Sequence, residues 1–132
     1  MKIEIELFVR YSEVDKLGIV YYSRYLEYFE VGRSEWLSKF LVDYALLEDS
    51  YKIGLPVIEC GVKYKNPAKY GDKLIITTQV DTSKISPVIV FNYVIRKNDE
   101  ILVEGFTRHI YYSFVSKKAI RLPDELSKRI GL

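Results

Sequence analysis

Residues 2–11 alternate, with Ile3, Ile5 and Leu7 on one side and Lys2, Glu4 and Glu6 on the other. That period of two predicts a half-buried strand. Ser12, Asp15 and Gly18 then break the run. From Tyr22 the period changes: Tyr22, Tyr25, Leu26, Phe29, Gly32, Arg33, Trp36 and Phe40 recur at steps of three and four. The spacing predicts a long helix from Tyr22 or Ser23 to Phe40, with Ser23 as N-cap and one apolar stripe. Gly32 costs such a helix about 1 kcal/mol against Ala, which a close approach to a sheet offsets. Residues 43–52 predict a second, short helix, capped by Asp43 and stopped by Gly54.

Beyond Pro56 the pattern is β. Residues 57–65 alternate Ile58, Cys60, Val62 and Tyr64 against Glu59, Gly61, Lys63 and Lys65. A turn at 66–72 leads to a strand over 73–84, and Ser86-Pro87 separates it from a strand over 88–97. Residues 98–100 make a hairpin turn into a long final strand over 101–115. Residues 123–130 close the chain as a helical turn. The strand over 88–97 is apolar on both faces, with Val88, Val90 and Val94 opposite Ile89, Phe91, Tyr93 and Ile95. One helix covers one face, so the pattern predicts that a second copy covers the other or pairs at an edge.

The inventory is a strand, a long helix and four further strands. Its simplest packing is an α+β fold with one long central helix wrapped by a curved, mainly antiparallel five-stranded sheet. A length of 132 residues with no linker or repeat predicts one domain over 1–132. A net charge of +2 without a basic block points away from nucleic acid. One cysteine and one histidine are too few for a disulfide or a Cys/His zinc site. No apolar run is long enough for a membrane span, and no signal peptide opens the chain, so a cytoplasmic location is the expectation.

Candidate chemistry concentrates before the long helix. Asp15 stands in a glycine turn that feeds a helix start, where backbone N–H groups are free. Such a carboxylate serves as a base or a nucleophile; taken alone, it is more often a turn residue. His109 reads as a hydrogen-bonded strand histidine, and Cys60 as a small buried hydrophobe. Ser12 and Ser113 have no His–Asp partnership. Lys63, Lys65, Arg96, Lys97 and Lys118 are either a solvated face or contacts for phosphates.

The chain resembles the hotdog-fold acyl-CoA thioesterases of the 4-hydroxybenzoyl-CoA and tol-pal-associated type. The resemblance is carried by Val9-Arg10-Tyr11 and by the run from Val14 to Glu30, VDKLGIVYYSRYLEYFE. Gly54-Leu55-Pro56-Val57, Pro67-Ala68-Lys69-Tyr70-Gly71-Asp72, Glu104 to His109 and Arg121-Leu122-Pro123 follow in the family's order. It implies a hotdog fold, hydrolysis of an acyl-CoA thioester without cofactor or metal, and a homo-oligomer, a dimer or dimer of dimers. It places the catalytic acid on Asp15 and the carbonyl-polarising backbone donor on Tyr22. Tol-pal-type members carry His at the latter position and the hydroxybenzoyl type carries Tyr; an N–H donor survives either. Arg24 replaces the smaller residue usual there. Gly18, Val20 and Tyr25, with Glu59 and Gly61 on the second strand, are the substrate-binding candidates; a solvated strand face is the simpler reading of Glu59. Two other functions stay open: a hotdog hydratase or dehydratase, which needs a His–acid pair, and a non-catalytic acyl-ligand binder.

Overall fold

The computed structural model describes residues 1–83 and 85–132. Strand β1 (Lys2–Phe8) shows the expected alternation, its outer side chains exposed and its inner ones half-buried. It ends three residues early, because Tyr11–Glu13 winds into a 3-10 turn. Helix α1 (Arg24–Phe40) spans 17 residues, about 26 Å at 1.5 Å per residue. Its buried face is Tyr25, Tyr28, Phe29, Gly32, Arg33, Trp36 and Leu37. The stripe is therefore rotated from the expected one. Tyr22 precedes the helix, Tyr22 and Leu26 are exposed, and Tyr28 and Leu37 take the inner places. Ser23 does not cap: its backbone is already helical and its hydroxyl makes no cap bond. The turn that starts the helix is instead closed by the Arg24 N–H donating to the Tyr21 carbonyl at 2.9 Å.

Helix α2 (Tyr44–Asp49) is capped as its sequence predicts, the Asp43 carboxylate accepting the Leu46 N–H at 2.9 Å. Gly54 is not a helix stop. It belongs to a two-residue strand β2 (Ile53–Gly54). Strands β3 (Val57–Tyr64), β4 (Lys73–Val80), β5 (Val88–Lys97) and β6 (Glu100–Ile110) follow. Lys84, at the expected end of β4, lies outside the described residues. The final strand breaks at Tyr111, and β7 (Tyr112–Ser113) leaves the main sheet to pair with β2. Helix α3 (Asp124–Ser127) and a 3-10 turn at Lys128–Ile130 bury Leu126 and Ile130.

The main sheet is antiparallel throughout, in the order β1-β4-β5-β6-β3. Thus β3 lies beyond β6, and residues 65–72 carry the chain back across to β4. Helix α1 packs on one face of this sheet, as a hotdog fold requires. Phe29 stacks on Tyr93 with ring centroids 4.3 Å apart, and Trp36 meets Phe91 edge-on at 5.5 Å. The closest approach is at Gly32, where an added Cβ would land on the Thr78 hydroxyl. On β5, Ile89, Phe91, Tyr93 and Ile95 are buried beneath the helix, whereas Val88, Val90 and Val94 on the other face remain half-buried.

The alternation expected of β3 is not realised as burial. Val57, Ile58 and Tyr64 are about half exposed, and Cys60 is exposed rather than a buried hydrophobe. As an edge strand β3 has a neighbour on one side only; Val62 packs against the core and Tyr64 meets Tyr25 of α1, while Val57 to Cys60 stay exposed. Among the described residues no helix is long and apolar enough to cross a membrane.

A polar line runs through the otherwise apolar core. Arg33, only 9% exposed, donates from Nε to the Tyr44 hydroxyl at 2.8 Å and from Nη1 to the Tyr93 hydroxyl at 3.2 Å. Tyr93 and Thr107 hydroxyls are 2.6 Å apart, Thr107 lies 2.8 Å from His109 Nε2, and His109 Nδ1 lies 2.9 Å from the Leu55 carbonyl. Burial pushes His109 down to about 4, so it is neutral at pH 7. A carbonyl only accepts, so Nδ1 carries the proton and Nε2 accepts from Thr107. The direction is then fixed at both ends: Arg33 to Tyr93 to Thr107 to His109 to Leu55. His109 is thus the hydrogen-bonded strand histidine its sequence predicts.

Candidate active site

Asp15 sits in a tight loop closed by an isolated bridge between Val14 and Val20. Its carbonyl accepts the Gly18 N–H at 2.9 Å and its N–H donates to the Ile19 carbonyl at 3.0 Å. Gly18 adopts φ +80° with nothing within 4 Å of where a Cβ would stand, so glycine is required by the backbone conformation, not by space. One carboxylate oxygen, Oδ1, accepts the Leu17 N–H at 2.8 Å. No hydrogen bond among the described residues occupies the other.

The loop is held from two sides. The Val20 N–H donates to the Ala68 carbonyl at 2.9 Å and Ile19 bridges Lys69. On the other side stands Glu13, a residue that sequence reasoning passed over. It is 5% exposed. Its Oε1 accepts the Arg10 N–H at 2.8 Å and the Tyr28 hydroxyl at 3.0 Å, and its carbonyl accepts the Tyr21 N–H at 2.9 Å. Burial, and then the Glu13 carboxylate, hold the Tyr28 phenol protonated well above its ordinary range. The local signal was the Arg10–Glu13 spacing, which lets the Glu13 carboxylate reach back to the Arg10 N–H while the Glu13 N–H donates to the Arg10 carbonyl across the 3-10 turn. Glu13 thereby ties the turn before Asp15 to the inner face of α1.

Tyr22 lies two residues before α1. Its side chain is exposed. No acceptor among the described residues takes its N–H, while its carbonyl accepts the Tyr64 hydroxyl at 2.9 Å. Tyr64 also meets Tyr25 edge-on, centroids 5.5 Å apart. These residues wall an open cleft of about 410 Å³ that includes Asp15, Val20, Tyr22, Tyr25, Tyr64 and Lys65. The fold thus brings Asp15, Val20, Tyr22 and Tyr25 together, with Gly18 shaping the loop from outside the wall.

Glu59 and Gly61 are elsewhere. Glu59 pairs with Arg108 at 2.9 Å on the exposed edge. Gly61 lies under the Phe106 ring in a separate hollow of the sheet. Of the candidate phosphate contacts, Lys65, Arg96 and Lys97 are engaged with Glu104, Glu4 and Asp72 at 3.2, 3.3 and 2.9 Å. A larger groove of about 660 Å³ opens between α2, the start of β3 and β7.

The family profile described as the thioesterase-like superfamily matches residues 9–130. The chain belongs to that superfamily. Among thioesterase-like relatives, it is 28% identical over 116 residues to the putative acyl-CoA thioesterase YneP of Bacillus subtilis, covering 88% of this chain and 83% of the relative. A solved DHNA-CoA thioesterase from Staphylococcus aureus superposes with a TM-score of 0.82 at 33% identity, over 92% of this chain and 80% of that one. The 4-hydroxybenzoyl-CoA thioesterase of a Pseudomonas species superposes at 0.85 with 17% identity, over 97% and 98% of the chains. That last likeness shows the hotdog fold alone.

Proposed function

We propose that this thioesterase-like chain is an acyl-CoA thioesterase, hydrolysing a fatty or aromatic acyl-CoA to the free acid and coenzyme A. The observation that carries the reading is that one cleft holds both an unoccupied carboxylate oxygen on Asp15 and an unspent N–H on Tyr22. A thioester carbonyl needs those two groups. The Tyr22 N–H, beside the start of α1, stabilises negative charge on the carbonyl oxygen, and one such donor contributes about 2.7–4 kcal/mol in the transition state. Asp15 acts as base or nucleophile. As a base it takes a proton from water as the water oxygen bonds to the carbonyl carbon. The tetrahedral intermediate then collapses, the C–S bond breaks, and the thiolate of coenzyme A leaves with that proton. As a nucleophile its oxygen bonds to the carbonyl carbon while the C–S bond breaks and coenzyme A leaves as the thiolate; water then opens the resulting mixed anhydride, releasing the acid and restoring the Asp15 carboxylate. Neither route requires a cofactor or metal.

The likenesses to relatives named as acyl-CoA thioesterases support this reading. The exposed β3 edge supports a homo-oligomer, a dimer through β3 and a dimer of such dimers over the half-buried sheet face. Two-fold antiparallel pairing of β3 sets the start of the second copy's strand opposite Tyr64, closing the open side of the cleft. Such a protein, one hotdog domain over 1–132, works in the cytoplasm on a small-molecule substrate. Thiol release across an acyl-CoA panel tests the activity; no release from any member refutes it. Light scattering at micromolar concentration tests assembly; a monomeric mass refutes it.

A further inference from the structure

Helix α1 begins without a side-chain cap, and the residue just before its first turn carries the N–H offered to the thioester carbonyl. The peptide unit bearing that N–H is held by its other end. The Tyr21 carbonyl accepts the Arg24 N–H at 2.9 Å, so in a planar trans unit the Tyr22 N–H points the opposite way, out beyond the helix start. The next peptide unit is not held by the helix at all. Continued α-helical geometry would give the Tyr22 carbonyl the Leu26 N–H, but Leu26 donates to the Ser23 carbonyl at 3.2 Å. The Tyr22 carbonyl instead accepts the Tyr64 hydroxyl at 2.9 Å, and no other donor among the described residues reaches it.

Tyr64 comes from the far end of β3 and is itself well fixed. It pairs with Val103 of β6, and the Lys65 and Asn66 N–H groups that follow both donate to the Leu102 carbonyl, at 2.8 and 3.1 Å. Its ring meets Tyr25 edge-on. Burial is the largest cause that raises its phenol above the ordinary range, so it remains a protonated donor at neutral pH. We propose that Tyr64 is the positioning residue for the Tyr22 N–H: its hydroxyl holds the Tyr22 carbonyl outside helix α1 and so keeps the N–H presented to the cleft. Released, that carbonyl is free to take the Leu26 N–H, which draws Tyr22 into the first turn of α1 and turns its N–H with it. A strand of the sheet thereby sets the geometry of a donor at the helix start.

The inference rests on the hydrolase reading of the Asp15 cleft, and the test separates the two. Thiol release is measured on intact wild type and Tyr64→Phe, together with the NMR signals of the Tyr22 backbone carbonyl and amide. Phe keeps the ring against Tyr25 and removes only the hydroxyl; position 64 is 49% exposed, so the core is not disturbed. In the variant kcat falls about 10–100-fold, the scale of a misplaced catalytic group. KM stays within about twofold, because the donor acts on charge that develops in the transition state. A purely structural role would not divide the two constants in this way. The Tyr22 carbonyl and amide signals both shift from their wild-type positions. An unchanged kcat, a loss confined to KM, or Tyr22 signals identical in the two proteins overturns the inference. If wild type releases no thiol, the hydrolase reading fails and the Tyr22 signals decide: moved, they uphold the hold of Tyr64 on Tyr22; unmoved, they overturn it.

Discussion

Replacing Gly32 by Ala tests how the helix is seated on the sheet. In an exposed helix this change gains about 1 kcal/mol. Here the new Cβ would fall on Thr78 Oγ1, with Ile76 Cγ2 at 3.1 Å. Overpacking of this kind costs about 1–3 kcal/mol, and the obstructing atom belongs to a central strand that cannot swing aside. The expected net effect is a loss of about 1–2 kcal/mol. Thr78 offers the control. Its hydroxyl is buried without a hydrogen-bond partner among the described residues, so Thr78→Ala removes a poorly satisfied group along with one methyl and is close to neutral. With the oxygen gone, the remaining Cβ at position 78 stands 3.7 Å from the Cβ introduced at position 32, an ordinary contact. Gly32→Ala in that background keeps only the tight 3.1 Å approach to Ile76 Cγ2 and so becomes close to neutral, a coupling of about 1–2 kcal/mol. Urea denaturation of the four proteins, at one fixed protein concentration because assembly is linked to folding, measures it. Additivity within about 0.5 kcal/mol would refute the close approach of helix and sheet at this position.

Two further outcomes follow from buried ionisable groups. Glu13→Gln keeps the shape but weakens charge-assisted bonds to the Arg10 N–H and Tyr28 hydroxyl. It should cost about 1–3 kcal/mol in denaturant and lower thiol release per folded molecule by loosening the Asp15 turn; an unchanged rate would confine Glu13 to stability. His109 is pushed down from 6.5 to about 4 by burial, so between those values the unfolded chain binds the extra proton. Its contribution is complete above about pH 6.5 and is lost as pH falls to about 4, on the order of 3 kcal/mol over the interval. Stability of His109→Gln, followed over the same range, should show a shallower fall by about that amount; parallel curves would contradict it.

Local patterns were legible wherever one chain segment decides them. The period change at Tyr22, the Asp43 cap and the two-faced β5 needed no knowledge of distant residues. The Asp15, Val20, Tyr22 and Tyr25 group was legible for the same reason, since all four lie within eleven consecutive positions. Tyr64 and Lys65 were not assigned to that cleft, because the return of the chain across the sheet brings β3 there. Periodicity assigned Cys60 and Ile58 an inner face, but alternation reports only that two faces differ. It does not say that the same chain covers either. Tyr28 displaced Tyr22 from the stripe because the helix begins two residues later than its aromatic spacing implied. Glu13 was missed because a buried acid is recognised by its donors, and the decisive donor, Tyr28, is fifteen residues away.

The most direct measurement is thiol release from acyl-CoA by wild type and Asp15→Asn side by side, under conditions where both are folded and equally assembled. Asn keeps the hydrogen bond from Leu17 to Oδ1 while removing the proton acceptor or nucleophile. A fall in kcat/KM of at least about 100-fold is predicted. Wild-type rates in Asp15→Asn would contradict the assignment of the chemistry to this carboxylate.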